Sequence, residues 1–462
     1  MSNGISVFAE TAWLASGWAK DVKISIDAAG TITRVDTDTA FEAEYMTRVP
    51  GPLLPGMPNL HSHAHQRAMA GMSEFRASGA GANDSFWTWR EVMHRFAEQV
   101  TPELLETVAA QLYVEMVKAG YTAVCEFHYM HHGSGGVPYA DPAEMSMALM
   151  RAAARAGIGI TLLPVLYVNG GYGGAAPNAG QARFISTPDQ LLTIINAVEA
   201  VHNGDPQTCV GVAPHSPRHV DADALRDILQ GIGPNAPVHI HVAEQTRDVE
   251  ESVKHTGLRP VEWLFDHADI GPRWCLVHAT HLTDAERAQM AVSGAVAGLC
   301  PTTEANLGDG LFPLIPYLAD SGVFGIGSDS HISVNMIEEL RLLEYGQRLT
   351  QRHRNLAAGS PGASTGVQLY QGALKGGAQA TGRPVGEIAV GKRADFVALD
   401  PGHPALVGKA GDRLIDSLVF ATNTPPFLEV WIGGKRQVVG GRHVREQDTL
   451  DAFSQVMRAL DF

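Results

Sequence analysis

The strongest constraint on this chain is a rhythm that starts near residue 54: short apolar, β-branched runs alternate with longer amphipathic segments. Such alternation builds parallel strands joined by crossover helices, because each strand must be carried back before the next can pair beside it. Eight runs can be counted, namely LLPGMPNLH (54–62), YTAVCEFHY (121–129), GITLLPVLY (159–167), TCVGVAPHS (208–216), PVHIHVAEQ (237–245), WCLVHATHL (274–282), AVAGLCPTT (295–303) and VFGIGSDSH (323–331). Eight such units predict an α/β fold of the (β/α)8 TIM-barrel type. Thr101-Pro102-Glu103, Asp141-Pro142 and Thr187-Pro188-Asp189 mark helix starts, a capping side chain followed by a Pro whose missing N–H costs nothing there.

The two chain ends read differently. VKISIDAAGTITRVDT early, and RADFVALD and EVWIGGKRQVVGGRHV late, are short strands broken by turns. They predict a small β-sandwich-like domain made from 1–53 plus 386–462, leaving 54–385 for the barrel. The Gly-rich stretch NGGYGGAAPNAG (169–180) is expected to be a mobile loop; as a phosphate cradle it lacks the Lys-Ser/Thr ending.

Charge narrows the partners. With 34 basic and 49 acidic residues and a formal net charge of −15, the chain has no general attraction for nucleic acid or an anionic membrane. An anionic substrate would therefore need a local cationic pocket. Cys125, Cys209, Cys275 and Cys300 are widely spaced in apolar runs, which argues against disulfides and against a CxxC metal site, and so for a cytoplasmic protein. Neither a targeting segment nor a membrane span is expected.

Six of the eight runs carry His or Asp near their C-terminal end, where a barrel gathers its chemistry. His61-Ser62-His63 puts two imidazoles on one face of a strand, a spacing that suits one metal ion. Alone, the pair reads first as polar strand-end residues. Its place on the rim, with His241, His278 and Asp329, makes five metal-compatible groups at one end of the barrel. His65 and His331 are expected to flank them.

PGMPNLHSHAH, PVHIHVAE, LVHATH and GIGSDSH together resemble the amidohydrolase superfamily, over nearly the whole chain. The resemblance implies that His61, His63, His241 and Asp329 bind one divalent metal, zinc by preference, and that His278 is a catalytic partner. Where binuclear members carry a strand-four lysine, TCVGVAPHS carries His215 instead, which suggests a single metal. His241-Val242-Ala243-Glu244 matches the mononuclear deaminase branch, in which Glu244 would shuttle a proton from water to the departing nitrogen. Zinc lowers the pKa of a bound water from ~15.7 towards ~7, and His278 and Asp329 would orient that nucleophile.

NLHSHAHQRAMAGM, NDSFWTWRE, EFHYMHH and APHSPRHV further resemble the formimino-amino-acid deiminases of this superfamily. That implies conversion of N-formimino-L-glutamate to N-formyl-L-glutamate and ammonia, as in histidine degradation. It also implies a homodimer, and substrate contacts from Gln66, Arg90, Tyr129, His215 and Arg218. Independently, a dicarboxylate entering an acidic protein needs fixed guanidinium forks, which Arg90 and Arg218 can supply. Each could instead be an ordinary surface charge, and Phe86-Trp87-Thr88-Trp89 reads first as packing of a loop on the barrel. Three other functions stay open: deimination of formimino-aspartate, deamination of a purine or other heterocycle, and a catalytically silent barrel that only binds.

Overall fold

The computed structural model describes residues 4–76, 84–202 and 204–460. Eight barrel strands follow the predicted runs: β1 (Met57–Ser62), β2 (Tyr121–His128), β3 (Gly159–Leu166), β4 in two pieces (Thr208–Val210 and Ala213–Pro214), β5 (Val238–Val242), β6 (Trp274–His278), β7 (Val296–Leu299) and β8 (Val323–Ile326). All neighbouring pairs are parallel. Two single bridges complete the ring: Val212 with Val238 joins β4 to β5, and Ser62 with Asp329 joins the segment after β8 to β1. All six positions of β1 and all eight of β2 are buried, as strands covered on both faces require.

Helices lie between the strands. The one over Pro102–Lys118 is capped as expected, Thr101 accepting from the Leu104 N–H at 3.2 Å. The helix after β2 begins later than Asp141-Pro142 predicts, at Glu144. Asp141 accepts from the Ala143 N–H at 2.9 Å, so its side chain closes a turn instead of capping the helix. The last barrel helix, Thr365–Thr381, lies so close to β8 that a Cβ on Gly376 would stand 1.9 Å from the Phe324 carbonyl oxygen.

Strands from both chain ends share one nine-stranded sheet, where Phe396–Leu399 pairs antiparallel with Leu53–Pro55. It has its own apolar core, including Val22, Ile24, Ile32, Leu53, Phe396 and Trp431. Among the described residues, no helix is long and apolar enough to cross a membrane.

Left-handed backbone concentrates at one end of the barrel. Ala243 (φ 48°), His278 (φ 67°), Ala279 (φ 47°), Asp329 (φ 46°) and His331 (φ 60°) all lie just beyond or at the ends of β5, β6 and β8. Such conformations are costly without glycine and survive where surrounding structure holds them for a purpose.

Candidate active site

At that end, β1 delivers His61 and His63, both buried, with their Nε2 atoms 3.2 Å apart. From β5, His241 brings its Nε2 to 3.0 Å from that of His61. Asp329 places Oδ1 3.3 Å from His61 Nε2 and 3.4 Å from His63 Nε2. Ligand atoms about 2.0–2.2 Å from a tetrahedral ion stand roughly 3.3–3.5 Å apart, so His61, His63 and Asp329 form a group that could hold a divalent cation, with His241 beside His61. Tautomer chemistry agrees for His63, whose Nδ1 donates to the Phe127 carbonyl at 2.8 Å and leaves the Nε2 lone pair facing inward. Burial drives His61 down to about 3 and also lowers His63 and His241, so the imidazoles stay neutral and can offer lone pairs. Burial opposes charge on Asp329 too, but His61, His278 and His63 outweigh it and hold the carboxyl ionised.

His278, at the end of β6, faces the cluster with Nε2, 3.7 Å from Asp329 Oδ2 and 3.8 Å from Glu244 Oε1. Burial would discharge it, yet Glu244, Glu304 and Asp329 together push it up to about 10. Burial is also the main reason that Glu244 is pushed up to about 7, against the pull of His278. A carboxyl poised there can take and release a proton near neutrality. Ring nitrogens of His61, His241 and His278 also lie within 4.8 Å of one another. His278 is thus spatially part of the same constellation.

Behind the strand, Ser62 turns away from the cavity, donating to Glu126 at 2.5 Å and contacting His331 Nε2 at 3.1 Å. Glu126 also accepts the Ala64 N–H at 2.7 Å and the Tyr113 hydroxyl at 3.0 Å, while Ser328 meets His331 Nδ1 at 3.0 Å. This network fixes the pleat that aims His61 and His63 inward. His331 therefore flanks the cluster, as does His65, whose Nε2 lies 3.2 Å from the Tyr129 hydroxyl.

A cavity opens over the cluster, and Gln66, Arg90, Tyr129, His215 and Arg218 all line it. Gln66 donates to the Tyr129 hydroxyl at 2.8 Å while its buried Oε1 has no partner. Arg90 packs on the Trp87 ring at 4.6 Å and its buried Nη1 is likewise without a partner. No ion pair ties Arg90 to Glu91 among the described residues.

Arg218 is more constrained than the sequence suggested. Asp248 holds its Nη1, and its Nε donates to His219 Nε2 at 2.9 Å. His219 can accept because its Nδ1 donates to the Asn169 carbonyl at 2.7 Å. Only part of the guanidinium fork remains for a ligand.

Phe86 and Trp89 lie on the helix Phe86–Ala97 and not in a loop as expected, and both line the cavity. The Gly-rich stretch is tied to the wall at its far end, where Gln181 donates to the Tyr167 hydroxyl at 2.6 Å.

Sequence reasoning missed Glu304, buried on the short helix Pro301–Leu307, whose Oε1 lies 3.3 Å from His278 Nδ1. It missed Asp309 as well, a carboxyl near Glu244 and His278 that burial first, and Glu244 next, push up to about 9. The seventh run showed no His or Asp, and Glu304 stands one position past its end.

Comparison with known proteins identifies the family. The model of the amidohydrolase family matches residues 53–436, and that of the formimidoylglutamate deiminase HutF N-terminal domain matches 5–44. A formimidoylglutamate deiminase of Pseudomonas aeruginosa is 48% identical over 98% of this chain and 99% of its own length. A crystal structure of an amidohydrolase from Brucella melitensis superposes with a TM-score of 0.93 at 46% identity, covering 98% of this chain and 99% of that one. An adenosine deaminase from Xanthomonas campestris with bound zinc shares the fold, with a TM-score of 0.79 at 20% identity over 99% of each chain. Matched from end to end by that deiminase and over residues 53–436 by the family model, the chain belongs to the amidohydrolase family.

Proposed function

We propose that the chain hydrolyses N-formimino-L-glutamate to N-formyl-L-glutamate and ammonia, a step of histidine degradation. The observation that carries this reading is that two of the residues lining the cavity each hold an unsatisfied buried atom. Gln66 Oε1 is a buried acceptor awaiting an N–H, and Arg90 Nη1 is a buried donor awaiting an anion. A formimino group supplies the first and a carboxylate the second, and leaving either atom unpaired costs about 1–3 kcal/mol. The 48% identical relative is named for this activity.

His61, His63, His241 and Asp329 are the residues that would hold one divalent cation, which we take to be zinc. When bound there, the ion supplies Lewis acidity and brings the pKa of a coordinated water towards ~7. Glu244 removes the proton of the attacking water as oxygen bonds to the formimino carbon. It delivers that proton to the terminal nitrogen, then takes the remaining O–H proton as the carbonyl forms and passes it to the same nitrogen, whose bond to carbon breaks as ammonia leaves. His278, with Nε2 facing Asp329 and Glu244, orients the attacking oxygen and stabilises charge gathering on it. Tyr129 holds Gln66, while Arg90, Arg218 and His215 bind the glutamate portion.

We further propose that 1–53 and 386–462 act as a sandwich-like domain set against the 54–385 barrel, supported by their shared sheet and separate apolar core. A homodimer follows from the resemblance. Residence in the cytoplasm is supported by four free thiols, three of them buried. The test is ammonia release by metal-replete protein from formimino-glutamate, formimino-aspartate and guanine. Turnover of the first well above the other two is expected, and none with the first would overturn the assignment.

A further inference from the structure

His278 stands at the centre of the reaction, yet nothing on its own strand dictates which ring edge meets the cavity. Rotation about a His χ2 is broad and roughly two-fold. A half-turn exchanges Nε2 with Cε1 and Nδ1 with Cδ2. After such a flip the cavity would meet a C–H where it now meets nitrogen, and the contacts at 3.7 Å to Asp329 and 3.8 Å to Glu244 would be lost.

We propose that Glu304 is the positioning residue that selects this ring orientation for the deimination proposed above. Its Oε1 lies 3.3 Å from His278 Nδ1, in a place where both side chains are almost wholly buried. With a carboxylate as the neighbour, Nδ1 must carry a hydrogen and donate. The flipped ring would set a carbon against that oxygen and cost the buried carboxyl one of its donors. Orienter carboxylates behind catalytic or metal-binding histidines act in this way.

Glu304 is itself held. The same Oε1 accepts the Cys300 backbone N–H at 2.9 Å, within the turn that leads from β7 into the helix Pro301–Leu307. Two donors converge on one oxygen, one from β6 and one from β7. That arrangement decides what an isosteric amide would do. In Glu304→Gln the amide oxygen must stay in this place, because turning the NH2 there would oppose it to the Cys300 N–H. The acceptor for His278 is kept although the charge is lost.

The experiment compares Glu304→Gln, Glu304→Asp and Glu304→Leu with the parent enzyme. Bound metal per chain, thermal midpoint, and kcat and KM for ammonia release from formimino-glutamate are measured for each. The expected order of kcat is parent, then Gln, with Asp and Leu lowest, since the shorter Asp cannot reach both donors. The loss in Leu should be about 10–100-fold, as for other orienting partners, with KM and metal content unchanged. An unchanged kcat in Leu would overturn the proposal, and so would a change confined to KM. Asp equalling or exceeding Gln would also overturn it, because charge and not acceptor position would then be what matters. If Leu does not fold, the order of Gln and Asp decides alone. Parent enzyme inactive on formimino-glutamate would instead refute the function on which this inference rests, so the two failures remain separate.

Discussion

Asp329 and His61 are joined twice: the Asp329 backbone N–H donates to the His61 carbonyl at 3.0 Å, and its Oδ1 lies 3.3 Å from His61 Nε2. The first contact, with the Ser62–Asp329 bridge, helps close the last strand of the barrel on the first. The second assembles the candidate metal cluster. Barrel closure and the candidate cation site therefore share two residues, and Asp329 adopts a left-handed φ of 46° there.

Removing the metal should consequently weaken the fold as well as stop the reaction. Dialysis against a chelator is expected to abolish ammonia release and lower the thermal midpoint, with zinc restoring both. A ligand present at a thousand times its Kd stabilises by about 4 kcal/mol. Metal-free protein that still turned over would refute the cluster's role.

Glu244→Gln separates proton transfer from binding. The amide has nearly the same volume but cannot carry the proton, so kcat should fall about 10²–10⁴-fold. Metal content and KM should hold. Steady-state kinetics beside metal analysis checks this, and a change mainly in KM would assign Glu244 to substrate binding instead.

The two arginines should respond differently. Arg90 has an unpartnered buried nitrogen, so Arg90→Met should raise KM roughly 10–100-fold, the worth of a hydrogen bond to a charged group, and leave the thermal midpoint near that of the parent. Arg218→Met also strands buried Asp248, which typically costs about 3–5 kcal/mol, so both KM and stability should suffer. Calorimetry alongside kinetics distinguishes them; equal stability losses would contradict the pairing.

A pH dependence of stability follows from Glu339, which accepts from the Thr302 hydroxyl at 2.5 Å and its N–H at 2.9 Å. Burial raises this carboxyl well above its ordinary 4.5 despite those bonds. The folded state then binds the proton more tightly than the unfolded chain, so this contribution weakens as pH rises from the ordinary carboxyl range towards the raised value. Glu339→Gln should flatten that decline, read as denaturation midpoints at pH 5 and pH 8. Identical pH slopes in the two proteins would remove Glu339 as its source.

The alternation of runs from residue 54 was enough to determine the barrel, because period and punctuation are local properties that parallel pairing merely reads out. The cluster was legible for the same reason. His61 and His63 share a face through a period of two, and His241 and Asp329 end strands that a barrel must gather on one rim. Glu304, one residue past an unremarkable run, reads locally as part of a short helix. Its meeting with His278, 26 positions away, depends on how two loops converge. The restraint on Arg218 from Asp248 had the same origin, since Asp248 reaches it only once β4 and β5 stand side by side, whereas His219 is its neighbour in the chain. Composition and spacing thus determined which groups could do chemistry here. Tertiary structure decided how each is oriented and what remains free to bind, because hydrogen-bond partners are set by distance in space.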